Sequence, residues 1–201
     1  MAGERIGLLG GTFDPVHFGH LRLAEEAREA AALRQVIFIP AARSPFKPDR
    51  PLTDARHRYQ MLLRAIATNP AFAVSDIEIQ RGGISYTVDT VRQLAAQMPD
   101  TQLFLIMGLD TLAEFPQWRE PFQIIQYCQL LVGVRPGYEA EPILAALPEA
   151  IRTAVRLIPS VPLDIRASQL RAFARQGRTL RYLTPENVIE YIESHQLYKE
   201  V

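Results

Sequence analysis

The residues of this 201-residue chain best suited to bind a charged ligand lie within residues 10–20, GGTFDPVHFGH. This stretch follows a short apolar run and precedes a helix-like segment. Gly10 and Gly11 allow the backbone to approach a bound group closely, because they carry no Cβ. The amides at the start of a helix attract anions, phosphates above all. His17 and His20 are three residues apart, so both imidazoles can reach a group held at this turn.

Short apolar runs alternate with longer helical patterns along the chain. The expected strands are residues 5–9, 35–39, 72–79, 103–107, 130–134 and 155–158. The expected helices are residues 19–32, 53–67, 88–97, a short turn at 109–115, 121–126, 142–154, and two more from residue 168 onward. This alternation is typical of a parallel sheet covered on both faces, and the right-handed crossover rule makes it a Rossmann-like, doubly wound α/β sheet. We predict one domain over residues 1–201, with residues 168–201 as a C-terminal helical subregion.

The charge balance argues against two classes of partner. Lys and Arg number 22, as do Asp and Glu, which gives a formal net charge of zero. A general nucleic-acid or membrane-surface binder is expected to carry a basic excess, so we expect no nucleic-acid or membrane partner. The apolar part of the amino terminus is too short for a signal peptide, and no apolar run reaches membrane-spanning length. These features predict a cytoplasmic protein; they do not predict its oligomeric state.

Cysteine and metal chemistry are not indicated. The single cysteine, Cys128, lies in an apolar run and is expected to be buried and inert. It cannot form an internal disulfide, and no Cys/His cluster suggests a zinc site. We therefore predict no metal held by protein ligands alone.

A proline-rich segment, residues 40–53, follows the second expected strand. Four prolines in fourteen residues exclude a helix or a central strand. A structureless loop of this length is uncommon unless it has a function, and its position places it over the same sheet edge as the histidines. It carries Arg43, Lys47 and Arg50, of which Arg50 is expected to be a solvated surface charge.

The helix after this loop is expected to begin with a cap formed by Thr53 and Asp54. Arg56, His57 and Arg58 then form an expected exposed basic face, to which we assign no chemistry.

Other polar residues lie where strands give way to helices, and the residues alone leave their roles open. Ser85 or Thr87 could cap the helix that follows Gly82-Gly83, and Asp110 could cap the helix after the fourth strand. Trp118 could pack in the core. Arg135 could face a ligand or remain an exposed loop charge.

The histidine segment carries a family resemblance. Thr12 followed by His17-x-Gly-His20 resembles the signature of the nucleotidyltransferase superfamily, which includes the class I aminoacyl-tRNA synthetases. The full string GGTFDPVHFGH is similar to the start of bacterial nicotinate-nucleotide adenylyltransferases. The resemblance extends over nearly the whole chain in five spaced motifs.

Four later motifs support the same family. Ser-Pro-Phe-Lys at residues 44–47 resembles its Pro-Pro-His-Lys, with Phe46 in place of the histidine. Residues 85–90 match its Ser-Tyr-Thr-x-Asp-Thr in full, and residues 108–118 match its Gly-x-Asp and downstream Trp. Residues 165–171 resemble its Ile-Ser-Ser-Thr-x-x-Arg, although Arg166 replaces a serine and Ser168 takes the threonine position. Independently of the family, a hydroxyl and free amides at a helix start, with Arg171 one turn later, suit a polyphosphate.

The resemblance implies a role for each matched residue. It makes His17 and His20 catalytic donors to the α-phosphate. The ATP-binding residues that it implies are Gly10, Thr12, Phe13, Lys47, Gly108, Asp110, Arg135, Ile165, Ser168 and Arg171. The pyridine-nucleotide-binding residues that it implies are Gly11, Thr12, Ser85, Tyr86, Thr87 and Trp118.

The implied reaction is transfer of AMP from ATP to nicotinate mononucleotide, giving nicotinate adenine dinucleotide and pyrophosphate. The partners are then ATP and nicotinate mononucleotide, and Mg²⁺ is expected as a cofactor bound mainly through the ATP phosphates. Three alternatives stay open: an enzyme for another acceptor, such as nicotinamide mononucleotide or phosphopantetheine; a non-catalytic nucleotide sensor; and an RNA-binding synthetase-like fragment. Zero net charge and small size disfavour the last.

Overall fold

The computed structural model describes residues 3–45, 52–135, 137–161 and 163–199. Its centre is a six-stranded sheet in the order β3-β2-β1-β4-β5-β6, and every neighbouring pair is parallel. The strands are β1 (Glu4–Gly11), β2 (Gln35–Pro40), β3 (Phe72–Val74), β4 (Thr101–Gly108), β5 (Cys128–Val134) and β6 (Val155–Pro159). This order is that of a doubly wound Rossmann-like sheet, so the predicted fold class is confirmed.

Helices cover both faces of this sheet. They are α1 (Phe18–Ala31), α2 (Ala55–Ile66), α3 (Ile77–Arg81), α4 (Thr87–Gln97), α5 (Leu109–Glu114), α6 (Pro121–Tyr127), α7 (Glu141–Ala146), α8 (Glu149–Thr153), α9 (Ala167–Arg175) and α10 (Glu186–Ser194). A 3₁₀ turn, Phe115–Gln117, continues α5. Within the described residues, no helix combines the length and the apolar character that crossing a membrane requires.

The core has two halves, one on each face of the sheet. Alternate strand residues such as Phe38 and Ile106 pack against α1, α2, α9 and α10. The intervening residues, such as Leu8 and Leu105, pack against α4, α5, α6 and α8. Strands buried on both faces need continuous apolar runs, which is why the central strands could be located from the sequence.

Two predicted elements differ from the structure. The strand expected at residues 72–79 ends at Val74, and α3 follows it. The Ser75 hydroxyl accepts a hydrogen bond from the Ile77 amide at 3.4 Å, a local bond that favours a turn over further extension.

The helix expected at residues 142–154 is divided into α7 and α8. Pro148 lies at the division and has no amide hydrogen to continue the helix. It also disfavours a helical conformation for the preceding residue, and Leu147 has an extended ψ of 145°.

The exposed basic face expected at residues 56–58 is wrong for Arg58. Asp54 caps α2 by accepting from the Arg56 amide at 2.7 Å, as expected. Arg58, however, is only 1% exposed, because it lies on the same stripe of α2 as the buried Met61 and Leu62.

The single thiol gives a test of this packing. Cys128 is buried, and burial raises the pKa of its thiol to about 12. Because only the thiolate is nucleophilic, we expect Ellman's reagent to label the native protein roughly 10³-fold more slowly than an ordinary cysteine. The same protein unfolded in denaturant is the control and should be labelled at the ordinary rate. Rapid labelling of the native protein would contradict this packing of β5.

Candidate active site

A cavity of about 730 Å³ opens at the carboxyl ends of the central strands. The chain leaves β1 towards β2 on one side, whereas β4 leads to β5 on the other, so the order of the strands reverses between β1 and β4. Ligands of doubly wound proteins bind at such a switch point. The cavity is lined there by Gly10 and Gly11 of β1 and by Gly108 of β4. Its volume lies within the usual range for small-molecule sites.

His17 and His20 are brought together at the start of α1. Their rings stack with centroids 3.6 Å apart, and both line the cavity. The backbone amide of His17 donates to His20 Nδ1 at 3.2 Å. Because Nδ1 accepts, the proton of a neutral His20 ring belongs on Nε2, which is thereby a hydrogen-bond donor. A Cβ on Gly19 would lie 3.1 Å from His17 Nδ1, so a larger residue between the histidines would displace the His17 ring by a few tenths of an ångström.

Both imidazoles are uncharged at neutral pH in this state. Burial lowers the pKa of His17 to about 4, and the nearby Arg135 lowers it further in the same direction. Burial also lowers the pKa of His20, with His17 as the second cause. The pair therefore offers N–H groups rather than positive charges to an incoming ligand.

The segment before α4 forms the opposite wall. Tyr86 is the N-cap residue of α4, and the Ser85 hydroxyl accepts from the Ala42 amide at 2.9 Å instead of capping the helix. The Ser85 amide in turn donates to the Arg43 carbonyl at 2.9 Å. Neither of the two candidate capping residues, Ser85 and Thr87, is therefore the N-cap of α4, and the Ser85 hydroxyl joins two loops instead. Thr87 lies in the first turn of α4 and lines the cavity.

The end of β4 supplies the remaining wall. Gly108 precedes α5, and a Cβ there would lie 2.6 Å from Asp110 Oδ1. Asp110 is the second residue of α5 rather than its N-cap, so the expected capping role is wrong, and its exposed side chain lines the cavity. Trp118 also lines the cavity, and it is half-buried, with its ring centroid 5.2 Å from that of Phe115.

The structure thus brings most of the expected residues to one cavity. Those that line it are Gly10, Gly11, Thr12, His17, His20, Ser85, Thr87, Gly108, Asp110, Trp118, Arg135 and Ile165. Lys47 and Phe46 lie outside the described residues.

Four expected residues do not line the cavity. Phe13 is buried beneath it, with its ring 5.0 Å from that of His20. The ring of Tyr86 contacts the Arg119 guanidinium at 4.6 Å. Ser168 is exposed on α9, and Arg171 donates to the Asp14 carbonyl.

Sequence reasoning missed four charged residues of the cavity wall, which are Arg22, Glu78, Asp164 and Arg166. The contacts of two of them, Arg166 and Glu78, bear on ligand binding. Arg166 lines the cavity, with Nε 3.3 Å from Asp164 Oδ1, and Arg135 Nη1 lies 4.0 Å from the same oxygen. The family motif identifies Arg166 only as the residue that replaces a serine, although an arginine at a helix start adds positive charge to amides that already attract anions.

The other of these two groups is Glu78. It is buried, and it accepts from the Thr90 hydroxyl at 2.6 Å and lies 3.9 Å from Arg81. The sequence does not reveal this group, because the pattern predicts one strand over residues 72–79, whereas Glu78 lies in α3. Arg81 compensates the charge of Glu78, and the Thr90 hydroxyl donates to one of its oxygens.

Comparison with known proteins identifies the class of this site. The cytidylyltransferase-like family model matches residues 8–193, so the chain belongs to this family of nucleotidyltransferases. Within it, the chain is 43% identical over 199 residues to a probable nicotinate-nucleotide adenylyltransferase of Moorella thermoacetica, covering 97% of this chain and 92% of that one. It is 44% identical to the corresponding protein of a Roseiflexus species, covering 99% and 100%. The chain therefore belongs to the nicotinate-nucleotide adenylyltransferase family.

A solved structure shares the fold. The Plasmodium falciparum nicotinic acid mononucleotide adenylyltransferase complexed with NaAD superposes with a TM-score of 0.80. The match covers 97% of each chain at 19% sequence identity. At this identity the likeness supports the fold rather than individual contacts.

Gly10 tests whether a ligand lies against the end of β1. A Cβ at Gly10 would have no neighbour within 4 Å, whereas one at Gly7 would lie 2.7 Å from the Ile106 and Leu33 side chains. We expect Gly10→Ala to fold with nearly unchanged stability and to lose at least tenfold in affinity for a non-hydrolysable ATP analogue, because the methyl group occupies ligand space.

Gly7→Ala is the control for this experiment. It should lower the melting temperature through overpacking but keep the analogue-induced thermal shift of the folded protein. An unchanged analogue affinity in Gly10→Ala, measured by titration calorimetry, would contradict the placement of the ligand at this edge.

Proposed function

We propose that this protein transfers AMP from ATP to nicotinate mononucleotide, giving nicotinate adenine dinucleotide and pyrophosphate. The observation that carries the proposal is the stacked, neutral histidine pair at the switch point. It shares one cavity with the flat ring of Trp118 and the start of α4. Full-length relatives of this named activity support the same reaction.

The chemistry is an in-line substitution at the α-phosphorus of ATP. A phosphate oxygen of the mononucleotide forms a bond to that phosphorus, and the bond to the bridging oxygen of the β-phosphate breaks. The electron pair leaves with pyrophosphate. Because the nucleophile is already anionic near neutral pH, the reaction needs no general base and no covalent enzyme intermediate. Catalysis then comes from positioning and from stabilising the charge on the transferring group.

His17 and His20 are suited to the α-phosphate. Their buried N–H groups can donate to its oxygens in a site where hydrogen bonds are electrostatically stronger than in water. An approaching phosphate would also raise the depressed pKa values of both rings, which favours proton uptake on binding. In the proposal, Gly10, Thr12, Gly108, Asp110 and Ile165 surround the adenosine and α-phosphate. Phe13, which is expected to bind ATP, is buried and supports the His20 ring instead of lining the cavity.

The leaving pyrophosphate is assigned to two cations and a hydroxyl on three segments. Arg135 lines the cavity beside His17, and Lys47 and Ser168 are proposed to join it. Arg171 donates to the Asp14 carbonyl in this state, so a direct phosphate contact requires it to exchange that partner.

Mg²⁺ is proposed to bind mainly through the ATP phosphates. Among the described residues no group of three His, Cys, Asp or Glu side chains could hold a metal ion. Magnesium commonly keeps several of its waters and takes its anionic ligands from the phosphates of the substrate. When bound, the ion supplies charge neutralisation on the departing phosphates.

The pyridine ring is proposed to stack on Trp118, with its carboxylate at the start of α4. Gly11 and Thr12 approach it from β1, and Ser85 and Thr87 approach it from the opposite wall. Tyr86, which lies between them in the chain, packs its ring on Arg119 instead. The amides of Thr87 and Val88 lie in the first turn of α4, where backbone amides have no intrahelical acceptor. These amides and the partial positive charge of the helix start favour a carboxylate.

One variant tests the histidine assignment. We expect His20→Ala to lower kcat roughly 10²- to 10³-fold, as for the loss of one transition-state donor. The fold should survive, because the ring that is removed lines the cavity and is not part of the apolar core. His195→Ala is the matched control, since His195 is an exposed residue at the C-terminal end of α10 that does not line the cavity, and its kcat should be unchanged. Near-normal turnover of a folded His20→Ala protein would remove His20 from the mechanism.

The acceptor is tested by pyrophosphate release with nicotinate mononucleotide, nicotinamide mononucleotide and phosphopantetheine. A carboxamide would turn an NH₂ towards the amides at the start of α4 and leave buried donors unpaired, at about 1–3 kcal/mol each. For two such donors we expect kcat/KM to favour the acid by roughly 30-fold or more at saturating ATP.

The outcomes of this assay separate the alternatives. A ratio near one, or one favouring the amide, would overturn the carboxylate pocket but leave adenylyl transfer standing. Release with phosphopantetheine alone would indicate the other acceptor class. ATP binding without release for any acceptor would indicate a nucleotide sensor.

A further inference from the structure

Arg58 is a buried arginine that holds three separate segments together. It is 1% exposed and is not among the residues that line the cavity. Its Nη1 donates to the Thr12 carbonyl at 2.8 Å, its Nε to the Thr53 carbonyl at 2.8 Å, and its Nη2 to the Ala42 carbonyl at 3.3 Å. A planar guanidinium suits this task because its five N–H groups point in fixed, divergent directions.

The three carbonyls belong to two loops that line part of the cavity, the loop from β1 to α1 and the loop from β2 to α2. Thr12 lies between the end of β1 and the histidine pair, and it lines the cavity. Ala42 and Thr53 lie at the two ends of the segment that joins β2 to α2. The Ala42 amide also donates to the Ser85 hydroxyl, so Ala42 connects Arg58 to the segment that precedes α4.

The backbone beside Thr12 is in an unfavourable conformation. Phe13 has a φ of +48°, in the left-handed region that residues with a Cβ avoid. Such a residue persists only where its surroundings impose the conformation. A trans peptide points its N–H opposite to its carbonyl, so the bond from Arg58 to the Thr12 carbonyl also sets the direction of the Phe13 amide.

The buried charge of Arg58 has a counterpart. Burial lowers the pKa of its guanidinium, and the carboxylate of Asp14 opposes that shift. Asp14 is itself 1% exposed and accepts from the Tyr198 hydroxyl at 2.7 Å. The cation is thus retained at a site from which water is excluded.

We infer that Arg58 is a positioning residue of the active site, which fixes the peptides at Thr12 and Ala42 in the geometry that substrates require. The inference rests on the proposed function for its catalytic readout. Arg58 touches no substrate. It acts through the two loops, because small misplacements of groups at a reacting centre cost large factors in rate.

The test compares Arg58→Lys and Arg58→Met with a packing control. Lysine keeps the positive charge beside Asp14, but its ammonium donates from one point and cannot span three carbonyls. We expect a folded Arg58→Lys protein to lose at least tenfold in kcat, with a smaller change in the KM for ATP, and Arg58→Met to lose more. Leu62→Ala, which opens a cavity on the same helix, should lower the melting temperature but keep kcat within twofold. Wild-type kcat in Arg58→Lys would overturn the inference.

A second measurement needs neither variant folding nor enzyme activity. In the wild-type protein, the guanidinium protons of Arg58 should exchange with solvent at least a hundredfold more slowly in NMR experiments than those of the exposed Arg56. Equal exchange rates would overturn the inference even if every variant unfolds. Absence of pyrophosphate release from the wild-type protein would contradict the proposed function alone, because slow exchange at Arg58 would still support the hold on the loops.

Discussion

The carboxylate of Asp14 is the buried charge on which the arrangement of this site depends. It is 1% exposed and lies where β1 turns towards α1. An ionised carboxylate is costly to bury unless it is paired and hydrogen-bonded. Tyr198 donates to it at 2.7 Å, the Thr53 amide lies at 3.4 Å, and Arg171 Nη1 lies at 4.0 Å from it. The loop that leads to the histidine pair is therefore tied to α9 and to the residues after α10.

This network explains why helices distant in sequence belong to the site. Residues of α9 and α10 pack into the same core half as α1 and α2. The Thr184 hydroxyl donates to the Val16 carbonyl at 2.8 Å, and the Phe18 amide donates to the Leu183 carbonyl at 3.0 Å. Two more hydrogen bonds thus join the C-terminal segment to the residues beside His17. The start of α1 is positioned from outside the sheet as well as by β1.

The sequence predicted the sheet and the histidine pair for a clear physical reason. Doubly buried strands require uninterrupted apolar runs, and a glycine turn followed by a helix start is a local pattern. The buried stripe of α2 was harder to interpret, because Arg58 occupies a position that periodicity assigns to the core. Its partners are carbonyls of Thr12, Ala42 and Thr53, which any residue type could supply. Contacts of side chains with distant backbone atoms leave no signal in composition or spacing. For the same reason, the sequence does not reveal the hydrogen bond from the Ala42 amide to the Ser85 hydroxyl.

Arg135 and Arg166, which line the cavity, and Arg171, which lies outside its lining, differ in the free energy needed to redirect each side chain to a ligand. Asp164 is the nearest anion to Arg135 and Arg166, and both its side chain and that of Arg166 are 74% exposed. Exposed ion pairs of this kind contribute little free energy, so a polyphosphate with several charges can displace Asp164 readily. Arg171 is different, because its side chain is 12% exposed and faces the buried Asp14. Removing it would leave part of a buried charge uncompensated. Arg135 and Arg166 are therefore the first arginines available to an anion. Recruitment of Arg171 requires a ligand whose negative charge replaces that of Asp14.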